Sequence, residues 1–163
     1  MSQAHRIQPT APSRDWVVVR LGTVGNTFNY ADVGKAVKLT GESQYDLCVA
    51  GDAIEAIVCK VEEATSGGYS IGAIDDGDRI WAIADGLQAT PGTGAIAVGD
   101  YVLTGTVVAR NTAFSDAAPF LKVTKATSQT PSPVYAWRVV SLGRVGTGAV
   151  GTQICIAPVG KKL

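Results

Sequence analysis

A chain of 163 residues is long enough to bury a real core in one domain without disulfides or metal to hold it together. Charged residues are only 17% of the chain and cancel to zero net charge, which excludes a general electrostatic attraction to nucleic acid or to an anionic membrane. The longest apolar runs, such as residues 16–19 and 137–140, are strand-sized, far short of the ~20 residues that span a bilayer, and the N-terminus lacks an apolar signal-peptide core.

Residues 1–15, MSQAHRIQPTAPSRD, are polar, hold two prolines and show no periodicity, so they are expected to form a flexible arm ahead of a single β domain over 16–163. The first predicted strand is WVVVRL, residues 16–21. A Gly/Asn-rich connection, GTVGNTFNYAD, follows it. In KAVKLTG, Val37 and Leu39 alternate with Lys38 and Thr40, the period of a strand with one wet face. YDLCVAG comes next and Gly51-Asp52 marks a turn. The best-defined unit is IEAIVCKVEEATSGGYSIGAI, residues 54–74, a hairpin whose two strands flank TSGG.

After IDDGD, the segment RIWAIAD (79–85) predicts a strand, and the loop LQATPGTGA leads to VGDYVLTGTVVA. FLKVTKA, YAWRVVSL and TQICIA complete a series spaced as in a barrel or sandwich. No segment predicts a full helix, although residues 85–88 or 115–118 can form a single turn. The expected fold is all-β, a mainly antiparallel β-barrel or β-sandwich. An internal echo links VGKAVKLTG (33–41) to VGDYVLTG (98–105), each followed by a strand, a Gly-rich turn and another strand. This is either a pseudo-symmetric pair of β halves or a common way of leaving a turn for a strand.

GTGAVG, residues 146–151, has the GxGxxG glycine spacing of a dinucleotide-binding turn. That reading needs a helix after the last glycine and an acidic residue about 20 positions on. TQICIA follows instead, and no acidic residue lies beyond Asp116. The glycines are expected to serve a hairpin connection, as does the near-copy GTGAIAVG at 92–99, and no cofactor is expected. His5 is the only histidine and lies in the arm, which argues against a Ser/His/Asp or Cys/His nucleophile. Cys48, Cys59 and Cys155 form an odd, widely spaced set, read as small buried residues in a reducing compartment. Asp75, Asp76 and Asp78 suit a turn, with an irregular cation site as the alternative. Trp16, Trp81 and Trp137 lie in apolar strand patterns that suit core or subunit-interface packing. The chain is not expected to be an enzyme.

DVGKAVKLTG, then YDLCVAGDAIEAIVCKVEEATSGGYSIGAI, then AIAVGDYV, together resemble the capsid decoration (cement) proteins of tailed bacteriophages, over roughly residues 32–105. After residue 105 the sequence departs from that pattern. The resemblance implies a structural virion protein, made in the host cytoplasm, that binds the major capsid protein on the outer surface of the shell and stabilises it. It also implies self-association as a homotrimer, with a dimer as the alternative, and neither nucleic acid nor membrane as a partner. On that basis Arg6, Ile7, Pro9 and Arg14 are the expected capsid-binding residues of the arm, and Trp81, Tyr101 and Trp137 the expected subunit-interface residues. The competing reading is a carbohydrate-binding β domain of a fibre or lectin type.

Overall fold

The computed structural model describes residues 17–66, 69–75, 79–129 and 137–159. They form twelve strands and one short 3-10 turn at Tyr30–Asp32. The first half contains β1 (Val17–Thr23), β2 (Asn26–Thr27), β3 (Ala36–Gly41), β4 (Gln44–Leu47), β5 (Ala56–Ser66) and β6 (Tyr69–Asp75). The second contains β7 (Ile80–Leu87), β8 (Thr90–Pro91), β9 (Tyr101–Thr104), β10 (Lys122–Lys125), β11 (Trp137–Ser141) and β12 (Gln153–Pro158). The fold is all-β. Residues 85–88 do not form the helical turn allowed by the sequence, because β7 continues through Leu87 and its end is held by the β8 pairing at Gly86 and Leu87.

In the first half β1 pairs with β4 and also with β6, so the order β1-β4-β3-β5-β6 closes on itself as a five-strand barrel. In the second, β10 pairs with β7 as well as β9, and the sheet curls into the ring β7-β10-β9-β11-β12. With the two-residue strands β2 and β8 left aside and the other five of each half numbered in chain order, each ring has the same order, first-third-second-fourth-fifth. In each, the one parallel contact joins the first strand to the third: β1 to β4, and β7 to β10. In each, a two-residue strand folds back on the end of the first strand. Ring closure leaves few free strand edges to recruit other chains.

The echo seen in the sequence occupies equivalent places in the two rings. Residues 32–35 and 97–100 form turns that lead into β3 and β9. Lys35 N donates to Asp32 O (3.2 Å) and Asp100 N to Ala97 O (3.2 Å). Gly34 N donates to Val58 O of β5, and Gly99 N to Val139 O of β11, both at 2.8 Å. Val58 N and Val139 N return the bond to Lys35 O and Asp100 O. Both glycines have φ of +91°, a conformation that L side chains resist. A third turn of this kind, residues 49–52, reaches across the molecule: Gly51 N bonds Thr104 O, and Thr104 N bonds Asp52 O.

Alternation along the strands assigns each face. Val37, Ala56, Val58 and Val61 point into the first barrel with Val19, Leu21, Phe28 and Val33. Their neighbours Ala36 and Ile57, paired across β3 and β5, point outward and join Ile80, Leu121, Val123 and Trp137 in the apolar cluster of the second half. β3 and β5 are therefore apolar on both faces, which explains the unbroken hydrophobic run at the start of the hairpin. The counterpart pair in the second ring is Tyr101 and Arg138, half-buried and exposed, so that face ends the tandem rather than continuing it.

The connection from β9 to β10, residues 105–121, straps the second half onto the first. Lys35, buried, donates through Nζ to Asp32 Oδ1, Ala109 O and Thr112 O, each at 2.7 Å. Asp32 Oδ1 also accepts from Asn111 N (2.8 Å), and Oδ2 accepts from Asn29 N (3.0 Å). Arg110 bonds Asp46 (2.5 Å) and Asn26 O (2.8 Å), and its guanidinium lies 4.7 Å above the Phe28 ring. Burial pushes the Lys35 ammonium pKa down, against the opposing pull of Asp32.

Candidate functional site

The two glycine-rich stretches of the sequence meet at one rim of the second ring. Residues 92–99 connect β8 to β9 and residues 145–152 lie between β11 and β12; Ile96 N donates to Gly148 O at 2.9 Å. A Cβ at Gly148 would collide with the Ile96 carbonyl, so only glycine permits this approach. Each stretch ends in a turn of the recurring kind. Gly99 docks on Val139, and Gly151 N donates to Ala84 O (2.8 Å), with Ala84 N returning the bond to Thr152 O (2.9 Å). Gly151 leads directly into strand β12, whereas a dinucleotide-binding turn requires a helix there.

These loops satisfy much of their own backbone. Thr93 Oγ1 bonds Thr90 O, Thr152 Oγ1 bonds Ala149 O, and Leu87 N bonds Thr93 O. What they present outward is mainly methyl groups: Val98 is 59% exposed, Val145 65% and Val150 41%. Residues 86–99 and 145–158 contain no charged residue. Asp100, at the border, is occupied: its Oδ2 caps Ala97 N and pairs with Lys125 at 2.9 Å. The two loops thus expose uncharged, methyl-bearing residues, flanked in sequence by Asp100 and by the exposed Arg144, a form suited to a macromolecular contact.

The residues singled out in the sequence are dispersed. Arg6, Ile7, Pro9 and Arg14, together with Trp16, Asp76 and Asp78, lie outside the described residues. Asp75 ends β6. Tyr101 and Trp81 are half-buried; Trp81 lines a crevice with Ile57, Phe114 and Phe120 of the strap. Trp137 takes the core place among the two roles that the sequence allowed: it is 1% exposed within the second apolar cluster, because the alternation in WRVV turns Trp137 and Val139 inward and Arg138 outward. The alternation was visible in the sequence, but which side of the sheet faced another part of the same chain was not. Single valines in Gly-rich loops, such as Val98, Val145 and Val150, carry no periodic signal in the sequence.

Among the described residues no group of His, Cys, Asp and Glu has the arrangement of a metal site. Cys48 is buried and its thiol is pushed up to about 12, chiefly by burial, with the Thr104 hydroxyl opposing. Cys155 is also buried and pushed up for the same reason. Neither thiol has the depressed pKa of a nucleophile. A scan against protein-family models, a search of curated proteins and a search of solved structures each give no match to this chain.

Proposed function

We propose that the protein is a structural component of a tailed-phage virion that binds the outer surface of the capsid and stabilises the shell. The observation that carries this reading is the uncharged rim of residues 92–99 and 145–152, with Val98, Val145 and Val150 exposed on loops held in shape by their own hydrogen bonds. A preformed apolar surface loses little entropy on docking. The sequence resemblance over roughly residues 32–105 supplies the class of partner, the major capsid protein. In this account the protein acts by binding rather than catalysis, and it is placed on the shell as a homotrimer. The arm residues Arg6, Ile7, Pro9 and Arg14 add weak contacts whose effect is raised by tethering.

The test is co-sedimentation of the purified protein with expanded shells stripped of decoration. Val98→Asp and Val150→Asp should each lower occupancy at least tenfold, while Leu39→Asp, an exposed change on β3 of the first barrel, should leave it unaltered. Equal occupancy for all three variants would remove the rim from the contact. Failure to bind any shell, joined to a signal on a glycan array, would favour the carbohydrate-binding alternative.

A further inference from the structure

The neutral chain is divided by charge at the same place where it is divided by fold. Residues 16–78, the first half, hold ten acidic and four basic side chains, whereas residues 79–163 hold three acidic and eight basic. The junction between the halves uses little of this difference. Its core is apolar, with Ala36 and Ile57 in one cluster with Ile80, Leu121 and Val123. Among the described residues a single ion pair crosses it, Arg110 to Asp46.

The charges left over lie on two separate surfaces. On the second half, Arg138 is paired in register with Tyr101 on one side and Ala157 on the other, and points away from the core. Arg79 immediately precedes Ile80, the partner of Ile156, so the two arginines stand on either side of β12. Both are exposed, and neither is ion-paired among the described residues. Arg138 and Tyr101 occupy the place that Ala36 and Ile57 hold in the first ring, where the second half covers it. On the first half, β3 is half-buried to exposed from Lys38 to Gly41. Lys38 is paired in register with Asp46 and bonded to Asp52 at 2.6 Å. Glu55 adjoins them, its Oε2 accepting from Leu39 N (2.7 Å), and Glu42 lies in the turn between β3 and β4. Both glutamates are exposed and neither is ion-paired among the described residues. Four carboxylates thus stand here against two cations, Lys38 and Arg110.

We propose that these surfaces are the two sides of one contact between copies of this chain, the Arg79 and Arg138 face of one copy docking on the Glu42 and Glu55 face of the next. Like surfaces brought together would set arginine against arginine or glutamate against glutamate, which opposes binding; head-to-tail docking satisfies both. Tyr101, half-buried beside Arg138, supplies an aromatic side chain of the kind that contacts between chains favour. Each copy gives one surface and receives on the other, and a contact of that kind closes into a ring. The inference rests on the self-association proposed above and not on capsid binding, because neither surface includes residues 92–99 or 145–152.

The experiment is sedimentation velocity of the full-length protein at micromolar concentration, in about 0.05 M and about 0.5 M salt, between which screening of exposed charges rises steeply. The parent should be a trimer that loosens at least tenfold in the higher salt. Arg138→Glu and Glu55→Lys should each weaken association at least tenfold in low salt, with the thermal unfolding midpoint nearly unchanged because both positions are exposed. Glu42→Lys should act in the same direction without touching the Leu39 bond. Arg138→Glu and Glu55→Lys together in one chain should bring association back towards that of the parent. A trimer indifferent to the reversals, or a double variant no better than the singles, would overturn this contact alone. A dimer that loosens with each reversal and recovers in the double variant would support the contact and remove the trimer. A parent that stays monomeric in low salt would overturn both.

Discussion

Lys35 is the residue on which the two halves depend most. Its ammonium joins a carboxylate from its own turn to two carbonyls 74 and 77 positions away in sequence. Lys35→Met should destabilise the chain by about 3–5 kcal/mol in urea unfolding, because it leaves Asp32 buried without its cation. Replacing Asp32 and Lys35 together with apolar residues should cost clearly less than the sum of the single changes. Nothing in DVGK reveals this node: the sequence announces the turn, but burial of the pair depends on residues 109–112 arriving over it. Cys48 is a second case. Its folded pKa is raised, so the native thiol keeps its proton where the unfolded chain loses it. That contribution is complete below about pH 9 and is lost as pH rises from about 9 towards 12, at a slope of at most ~1.4 kcal/mol per pH unit. Urea midpoints measured at about pH 8 and pH 10 should fall less in Cys48→Ala than in the parent. Alkylating reagents should leave Cys48 unmodified in the folded protein.

Strands and turns were the most legible part of the sequence, because alternation and glycine punctuation are local. The hairpin of β5 and β6, the strand β7 and the run QICIA of β12 lie where the pattern put them, within a residue or two. β9 is shorter than VGDYVLTGTVVA suggested. It stops at Thr104 because Asp85 Oδ2 takes both Thr106 N and Thr106 Oγ1, drawing the chain off the ladder into the strap. The parallel contacts were not legible at all, since a partner two strands away leaves no mark on either segment. The repeated turns make an element-scale prediction. Gly99→Ala meets no atom within 4 Å, so it should cost only the strain of a positive φ, ~1 kcal/mol. Gly34→Ala has the same φ and also places its Cβ 3.3 Å from Phe114, so it should cost more in the same unfolding assay.

At the scale of the molecule, the sequence indicated all-β structure and left its internal echo open between paired halves and a common turn-to-strand sequence, and the structure places the echo in two rings of one strand order. How the halves join was hidden, because Ala36 and Ile57 read as ordinary strand residues until the second half covers them. Deleting residues 2–14 should leave the unfolding midpoint nearly unchanged, since the described apolar clusters begin at Val19, yet lower occupancy on capsids. The most direct measurement of the functional reading is cryo-electron microscopy of the parent particle. The account predicts density for this protein on the outside of the expanded shell, in threefold clusters, with residues 92–99 and 145–152 against the major capsid protein. A shell without this chain, or one on which those loops point into solvent, would contradict it.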